Sequence, residues 1–308
     1  MWRTVVVNDS DRISIQNNWI LIEGEQIARV PLDELYSIVV DNPKTLLSVG
    51  AINAMTQQGV HIIYCNEKHL PVSVILPHNM HYRPLNVLKK QLSLKKQFKD
   101  EIWQKITCAK IENQSQVLKM CGCKRETVER LLEYSKDVRI GDVTNREGLA
   151  AKMFFREMFG SNFIRMNDDG INSALNYGYA IIRSAFAKTL ASYGYNSVIG
   201  LHHISETNAF NLADDLMEPL RPIVDLWIDE NNDDLDKELT RDNRRKLVNL
   251  INETVRIDNK MTKVRYAIDK YVSSLSTAIE KSSVNALKLP YICNKTLDIF
   301  YIGEEDDK

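Results

Sequence analysis

Pro77 and Pro84 bracket eight residues, Pro-His-Asn-Met-His-Tyr-Arg-Pro, and the period of the chain changes across them. Proline fixes φ and withholds a backbone donor, so two in so short a span disfavour regular structure. Before them, apolar residues come in short Val/Ile-rich runs. After them, apolar residues recur at steps of three and four. A chain that changes period once divides into two packed units, and 308 residues suffice for both. The expectation is an α+β protein. It has a β-rich domain over 1–76, a linker over 77–84, an all-α helical domain over 85–290 and a tail over 291–308 with an acidic end.

In the first unit, Thr4–Asn8, Arg12–Gln16, Trp19–Glu23, Gln26–Val30 and Tyr36–Val40 are strand-like, separated by Asn8-Asp9-Ser10-Asp11, Asn17-Asn18, Gly24-Glu25 and Pro31. The spacing predicts a meander with tight turns. One short helix is predicted over Ser48–Gln57, with Val49, Ile52 and Met55 on one face. Two further strands follow at Val60–Cys65 and Val72–Leu76. His78 and His81 in the linker are read as ordinary linker residues.

In the second unit, helices are predicted over Leu85–Glu112, Glu126–Tyr134, Asn145–Phe159, Gly170–Gly194, Asn211–Trp227, Arg241–Arg256 and Lys260–Leu287. Gly178 lies inside the most apolar of these, where glycine costs about 1 kcal/mol relative to alanine. Close helix–helix approach is the reason expected for it. Between Arg83 and Lys110 stand eight basic residues against Asp100 and Glu101. Such a face is either simply solvated or follows a phosphate backbone. Asp229–Asp236 is an acidic loop, and Glu304, Glu305, Asp306 and Asp307 make the chain end acidic.

A net charge of −1 excludes a uniformly basic nucleic-acid binder while leaving room for a locally basic one. No apolar run is long enough for a membrane span, and the N-terminal residues lack a signal-peptide layout. Five cysteines, with only Cys121-x-Cys123 closely spaced, make neither a disulfide framework nor a zinc site. They fit reduced thiols in a cytoplasmic protein.

The densest chemistry lies in residues 200–222, where His202 and His203 precede a helical run bearing Asp214, Asp215 and Glu218. Asp215 and Glu218 stand three apart and share a helix face, and Pro219 and Pro222 bend or interrupt the run. A histidine with carboxylates can hold a divalent cation, but hard ions want more oxygen ligands than this stretch supplies. Glu147, at the start of a helix, is the candidate for the missing corner. Two readings stand side by side. Thr144-x-x-Glu147 also fits a capping box, and Asp214 and Asp215 also suit a helix N-terminus.

Three blocks together resemble one family. They are Asn145-Arg146-Glu147-Gly148 with Ala151 and Phe154-Phe155; Asn172-Ser173-Ala174-Leu175-Asn176-Tyr177-Gly178-Tyr179; and Gly200-Leu201-His202-His203 followed by Phe210 through Pro222. Their order and the run Asp-Leu-Met-Glu-Pro resemble the CRISPR adaptation integrases, the Cas-one family, across essentially the whole chain. Compact members of type II systems, of the II-A kind, are the most similar. Leu220 stands where members often carry Phe.

The resemblance implies a metal-dependent DNA endonuclease and integrase of spacer acquisition, an antiviral defence. Such an enzyme joins 3′-hydroxyl ends of short foreign DNA to the leader-end repeat by phosphoryl transfer. It implies that Glu147, His203 and Glu218 hold Mg²⁺ or Mn²⁺ and are catalytic, with Asp215, His202 and Tyr177 as auxiliaries. For DNA contact, Lys89, Lys90, Lys96, Arg221, Arg241, Arg244, Arg245 and Lys246 are the candidates. Implied partners are prespacer and repeat duplexes, a homodimer formed through the β domain, and a dimer of a small ferredoxin-like partner (Cas-two) bridging two such dimers. An RNA-guided effector nuclease is a further possible partner; no membrane is involved, and the location is the prokaryotic cytoplasm. Two rival readings are a metal-dependent repair nuclease that only cleaves and a non-enzymatic helical DNA-binding scaffold.

Overall fold

The structure is a computed structural model that describes residues 1–77, 81–232, 235 and 238–293. His78, Asp233, Asp234 and Asp236 of the acidic loop, and the acidic chain end lie outside the described residues.

The N-terminal unit runs β1 (Arg3–Val7), β2 (Arg12–Gln16), β3 (Trp19–Glu23), β4 (Ile27–Pro31), β5 (Leu35–Val40), β6 (Leu46–Leu47), α1 (Val49–Gln57), β7 (His61–Cys65) and β8 (Pro71–Ile75). Strands β2, β3 and β4 form the expected antiparallel meander, with β6 added parallel to β2. Asn17 and Asn18 close the first hairpin with φ of 49° and 64°, the left-handed pair that a two-residue turn demands. The other sheet is ordered β1-β5-β7-β8, with β1 and β7 parallel to β5 and β8 antiparallel to β7.

All six residues of β5 are buried, so the strand shows no alternation. Leu35, Ile38 and Val40 face the core of the β domain, and Tyr36 and Val39 face the core of the helical domain. This sheet is therefore the wall between two cores. α1 packs on the β side through Ala51 and Met55. Val49, expected on that face, is 81% exposed, because the buried stripe steps by four from Ala51.

The helical unit runs α2 (Pro84–Leu92), α3 (Lys96–Met120), α4 (Arg125–Lys136), α5 (Arg146–Phe159), α6 (Gly170–Ser192), α7 (Asn211–Met217), α8 (Arg221–Glu230), α9 (Arg241–Asn249), β9 (Thr254–Ile257), β10 (Lys260–Lys263) and α10 (Val264–Lys281). The basic stretch expected as one helix is two. Ser93 caps α2 with its N–H on the Lys89 carbonyl, and α3 starts afresh at Lys96. Gln91, buried at the end of α2, donates to the Asn196 and Ile199 carbonyls at 2.8 Å and accepts from the Asn196 N–H at 3.0 Å. That break thus anchors the loop leading to the histidine pair.

α6 is buried almost all round and lies across α7, α8 and α9. A Cβ on Gly178 would come within 2.4 Å of Val224 Cγ1 and 3.3 Å of Leu247 Cδ2, so glycine there permits the close packing expected of it. Two expected helices are replaced in part by a hairpin. α9 stops at Asn249, and β9 and β10 pair across Asp258-Asn259, with φ of 52° and 59°. These two polar residues between short β-branched strands carry the same turn signature as Asn17-Asn18.

Candidate active site

Three segments converge where α3, α5 and the α7–α8 elbow meet. Pro219 and Pro222 split the run expected as one helix, as their missing donors require. α7 ends at Met217, a 3₁₀ turn covers Glu218–Leu220, and α8 starts at Arg221. Asn113 of α3 fastens the turn, donating to the Pro219 carbonyl at 2.6 Å and the Pro290 carbonyl at 3.0 Å. Glu218 is thereby held almost wholly buried against α3.

Glu147 opens α5, and its carboxylate does not cap that helix. Asp142 accepts from the Arg146 and Glu147 N–H groups at 2.8 and 2.9 Å, and Asn145 Oδ1 accepts from Gly148 N–H at 3.2 Å. Among the described residues Thr144 Oγ1 has no hydrogen-bond partner and the Glu147 N–H goes to Asp142, so Thr144 and Glu147 do not form a capping box. With the backbone satisfied by Asp142 and Asn145, the Glu147 side chain is directed instead at Lys110 of α3.

Lys110 bridges Glu147 and Glu218 with its single ammonium, and its side chain is only 7% exposed. Arg221 approaches the other Glu218 oxygen at 3.1 Å. Burial pushes the Glu218 carboxyl up, yet Arg221 and Lys110 outweigh it and hold it below the usual carboxylate range. Behind Arg221, the Tyr179 ring lies 4.9 Å away, and its hydroxyl donates to Asp225 at 2.5 Å. Burial raises the Asp225 carboxyl to about 7, against Tyr179 and Arg221.

The loop 200–203 folds around Asp215 of α7. Asp215 is fully buried and accepts the N–H groups of Leu201 (2.6 Å), His202 (3.1 Å) and His203 (3.0 Å), plus His203 Nδ1 at 2.6 Å. Gly200 is obligatory here, since a Cβ would sit 2.2 Å from the His203 carbonyl oxygen. Because Asp215 only accepts, Nδ1 is the protonated nitrogen and Nε2 keeps its lone pair. The Asp215 hydrogen bond, against burial, raises the His203 imidazole above its ordinary value. His202 stacks on Trp103 at 4.1 Å and 5°, and His203 meets the same indole edge-on at 5.8 Å.

The structure therefore brings Glu147, Glu218, His203, Asp215, His202 and Arg221 to one region and leaves others elsewhere. Tyr177, expected as an auxiliary, is fully buried beside Cys65 on the domain wall. Arg244, expected at DNA, is only 5% exposed; Asp41 Oδ2 takes its Nε at 2.7 Å, and the Leu239 carbonyl takes Nη1. It clamps the two domains together. Arg241 reaches Asp9 of the β domain, Lys90 pairs with Glu280 at 3.0 Å, Lys96 with Asp100 at 2.8 Å and Lys246 with Asp242 at 2.8 Å. Lys89 and Arg245 are exposed. Asp214 serves Asn208, whose amide reaches it at 2.7 Å.

Lys110 and Trp103 escaped the sequence reading, which counted Lys110 only among basic surface residues. A signal was present. Trp103, Ile106, Lys110, Asn113 and Val117 fall at steps of three and four on the buried stripe of α3. A lysine on an apolar stripe needs a buried partner.

Among the described residues, no three His, Cys, Asp or Glu side chains already form a cation cage. The donor set nonetheless fits a divalent ion. Two carboxylates meet at one positive charge, and an imidazole nearby is locked through Nδ1 with Nε2 left over, the arrangement found for metal-ligating histidines.

The fold is that of a known class of two-domain proteins. It matches a solved "Casposase bound to integration product" with a TM-score of 0.75 at 18% identity, over 98% of this chain and 99% of that one. A CAS1 protein from Thermotoga maritima matches with a TM-score of 0.74 at 16% identity, over 90% and 97% of the two chains. In a Cas6-RT-Cas1–Cas2 complex, 36% of a larger chain matches 93% of this one with a TM-score of 0.72 at 17% identity. The sequence narrows the class to a family. A CRISPR-associated endonuclease Cas1 of Neisseria meningitidis serogroup C (strain 8013) is 36% identical over 295 residues, 94% of this chain and 96% of the relative. The family model for CRISPR associated protein Cas1 matches residues 4–247, and the chain belongs to that family.

Proposed function

We propose that this chain is a metal-dependent DNA integrase and endonuclease of CRISPR adaptation, acting through Glu147, His203 and Glu218. The observation that carries the reading is the convergence of Glu147 and Glu218 on one buried charge beside a carboxylate-locked imidazole. It lies in a chain whose relative is named a CRISPR-associated endonuclease. The casposase structure at integration product supports strand transfer as the reaction of the shared fold.

Glu147, Glu218 and His203 Nε2 would hold Mg²⁺ or Mn²⁺. Bound there, the ion supplies Lewis-acid polarisation of the scissile phosphate and stabilises the leaving oxygen. Asp215 orients the imidazole and fixes its tautomer, so that no proton blocks Nε2. Arg221, held over Tyr179, places positive charge beside Glu218, where it would draw in an anionic phosphate. A DNA 3′-hydroxyl attacking in line gives a joined strand, and water in its place gives cleavage.

Phosphates beyond the reacting one would run over Lys89, Lys90 and Lys96 at the α2–α3 break and over Arg245 and Lys246 on α9. Their exposure or purely surface pairing leaves them able to exchange partners. Insertion at both ends of a repeat requires two sites, hence a homodimer formed through the β domain. A dimer of the small ferredoxin-like partner would join two of these, in keeping with the Cas1–Cas2 complexes among the structures of like fold. Among the described residues, no helix is long and apolar enough to cross a membrane.

The test is to change Glu147, His203 and Glu218 singly to alanine and assay joining of a labelled duplex to repeat DNA with Mn²⁺. Each variant should lose joining and cleavage while keeping its fold. A residue whose removal leaves full activity is not part of the site, and a wild type giving only free ends selects the cleaving nuclease.

A further inference from the structure

We infer that Lys110 is the internal counter-ion of this site, the group that a divalent cation must displace in order to bind. The inference rests on the metal-binding reading of Glu147, His203 and Glu218 and assigns a part to a residue that reading does not use. Lys110 sits two turns into the buried stripe of α3 after Trp103, and its ammonium touches both Glu147 and Glu218. Its side chain is 7% exposed, that of Glu218 5% and that of Glu147 29%, so the Lys110–Glu218 pair is buried and the Glu147 arm lies at its edge.

The geometry decides between two roles. A lysine poised only to meet DNA would present its ammonium outward, as Lys89 does. Lys110 instead turns its ammonium inward onto one oxygen of each of the two carboxylates. A buried carboxylate beside a half-buried one is costly without positive charge between them, and removing Lys110 leaves Glu147 unpaired and Glu218 with Arg221 alone. Lys110 supplies the charge whenever a divalent ion does not. It holds Glu147 and Glu218 together, at the expense of competing with the ion for the same oxygens. Arg221 cannot substitute, because it reaches Glu218 but not Glu147. The flexible four-carbon stem lets the ammonium withdraw without moving α3.

Opposite effects follow for the empty and loaded states. Neutralising Lys110 unbalances the empty site, so the metal-free protein melts lower, by roughly 5–10 °C. The competitor is also gone, so Mn²⁺ binds on the order of tenfold more tightly and restores more melting temperature than in wild type.

The experiment compares wild type, Lys110→Met and Glu218→Ala by calorimetric titration with MnCl₂ and by thermal melts with EDTA or Mn²⁺, without DNA. The expected result is a lower EDTA melting point and tighter Mn²⁺ binding in Lys110→Met, with binding lost in Glu218→Ala. Mn²⁺ affinity in folded Lys110→Met equal to or below that of wild type overturns the inference and leaves the metal site standing. Absence of Mn²⁺ binding in wild type instead removes the metal site itself, and displacement with it. Should Lys110→Met be unfolded in EDTA, Lys110→Gln takes its place. Either variant folding only with Mn²⁺ supports the inference, and a Lys110→Gln that Mn²⁺ leaves unfolded overturns it.

Discussion

The Asp215 carboxylate holds His203 twice, through the backbone N–H at 3.0 Å and through ring Nδ1 at 2.6 Å. With the N–H groups of Leu201 and His202 it accepts four hydrogen bonds on two oxygens. One buried side chain thus shapes the loop and selects the imidazole tautomer.

Asp215→Asn keeps the volume but offers one acceptor oxygen where four donors converge. Loss of such an outer carboxylate weakens metal binding or activity about 10–100-fold. Strand transfer and Mn²⁺ affinity should fall by that range. The His203 imidazole, raised by this hydrogen bond, should titrate at lower pH in the variant, as read by NMR. Unchanged titration with full strand transfer would limit Asp215 to shaping the loop.

Arg244 and Asp41 form a buried pair across the domain wall, and Asp41 also accepts His69 Nδ1 at 2.9 Å. Arg244→Met leaves the Asp41 charge without its main partner, which destabilises by about 3–5 kcal/mol. Urea unfolding should show that loss. Salt dependence of DNA binding should be unchanged, whereas Arg245→Ala should shallow the slope by about one. A shallower slope in Arg244→Met would return that residue to the DNA surface.

The contrast between Arg244 and Arg245 shows what local pattern can and cannot carry. Strand runs and the helical period were legible because backbone preference and amphipathicity are local. Proline positions foretold the break after Met217 for the same reason. Asp258-Asn259 carried a hairpin signature, but its strands are four residues each and the helical steps on either side masked them. His203 and Glu218 stand as candidates in one stretch, and Glu147 joins them by resemblance rather than by spacing. What the pattern could not give was pairing across the fold. Arg244 meets a residue 203 positions away and Lys110 one 37 positions away. Charge counting treats both as surface bases, while tertiary packing buries them.

Gly178 tests the close approach of α6 to α8 and α9. Gly178→Ala improves helix propensity by about 1 kcal/mol, but its methyl would enter the space of Val224 Cγ1 at 2.4 Å. Overpacking of this kind destabilises by about 1–3 kcal/mol, so the net change should be a loss. Combining it with Val224→Ala should recover part of that loss in urea unfolding. No recovery would place the strain elsewhere.

Lys188 of α6 gives the domain wall a pH dependence. Its ammonium lies 3.5 Å over the Tyr36 ring and donates to the Tyr36 carbonyl at 3.1 Å. Burial lowers its pKa from 10.5 to about 7, with Asp269 opposing. The folded state therefore holds fewer protons than the unfolded state between about pH 7 and 10.5. A depressed pKa contributes stability that is present above the unfolded value and lost as pH falls through the folded one. The full shift corresponds to about 5 kcal/mol. Lys188→Met removes this contribution to the pH dependence while keeping most of the apolar stem. The stability difference, variant minus wild type, should therefore be most favourable to the variant near pH 7 and decline steadily towards pH 9.5. Paired urea titrations at those two pH values measure it. A difference independent of pH would show that Lys188 stays charged in the folded state, paired with Asp269.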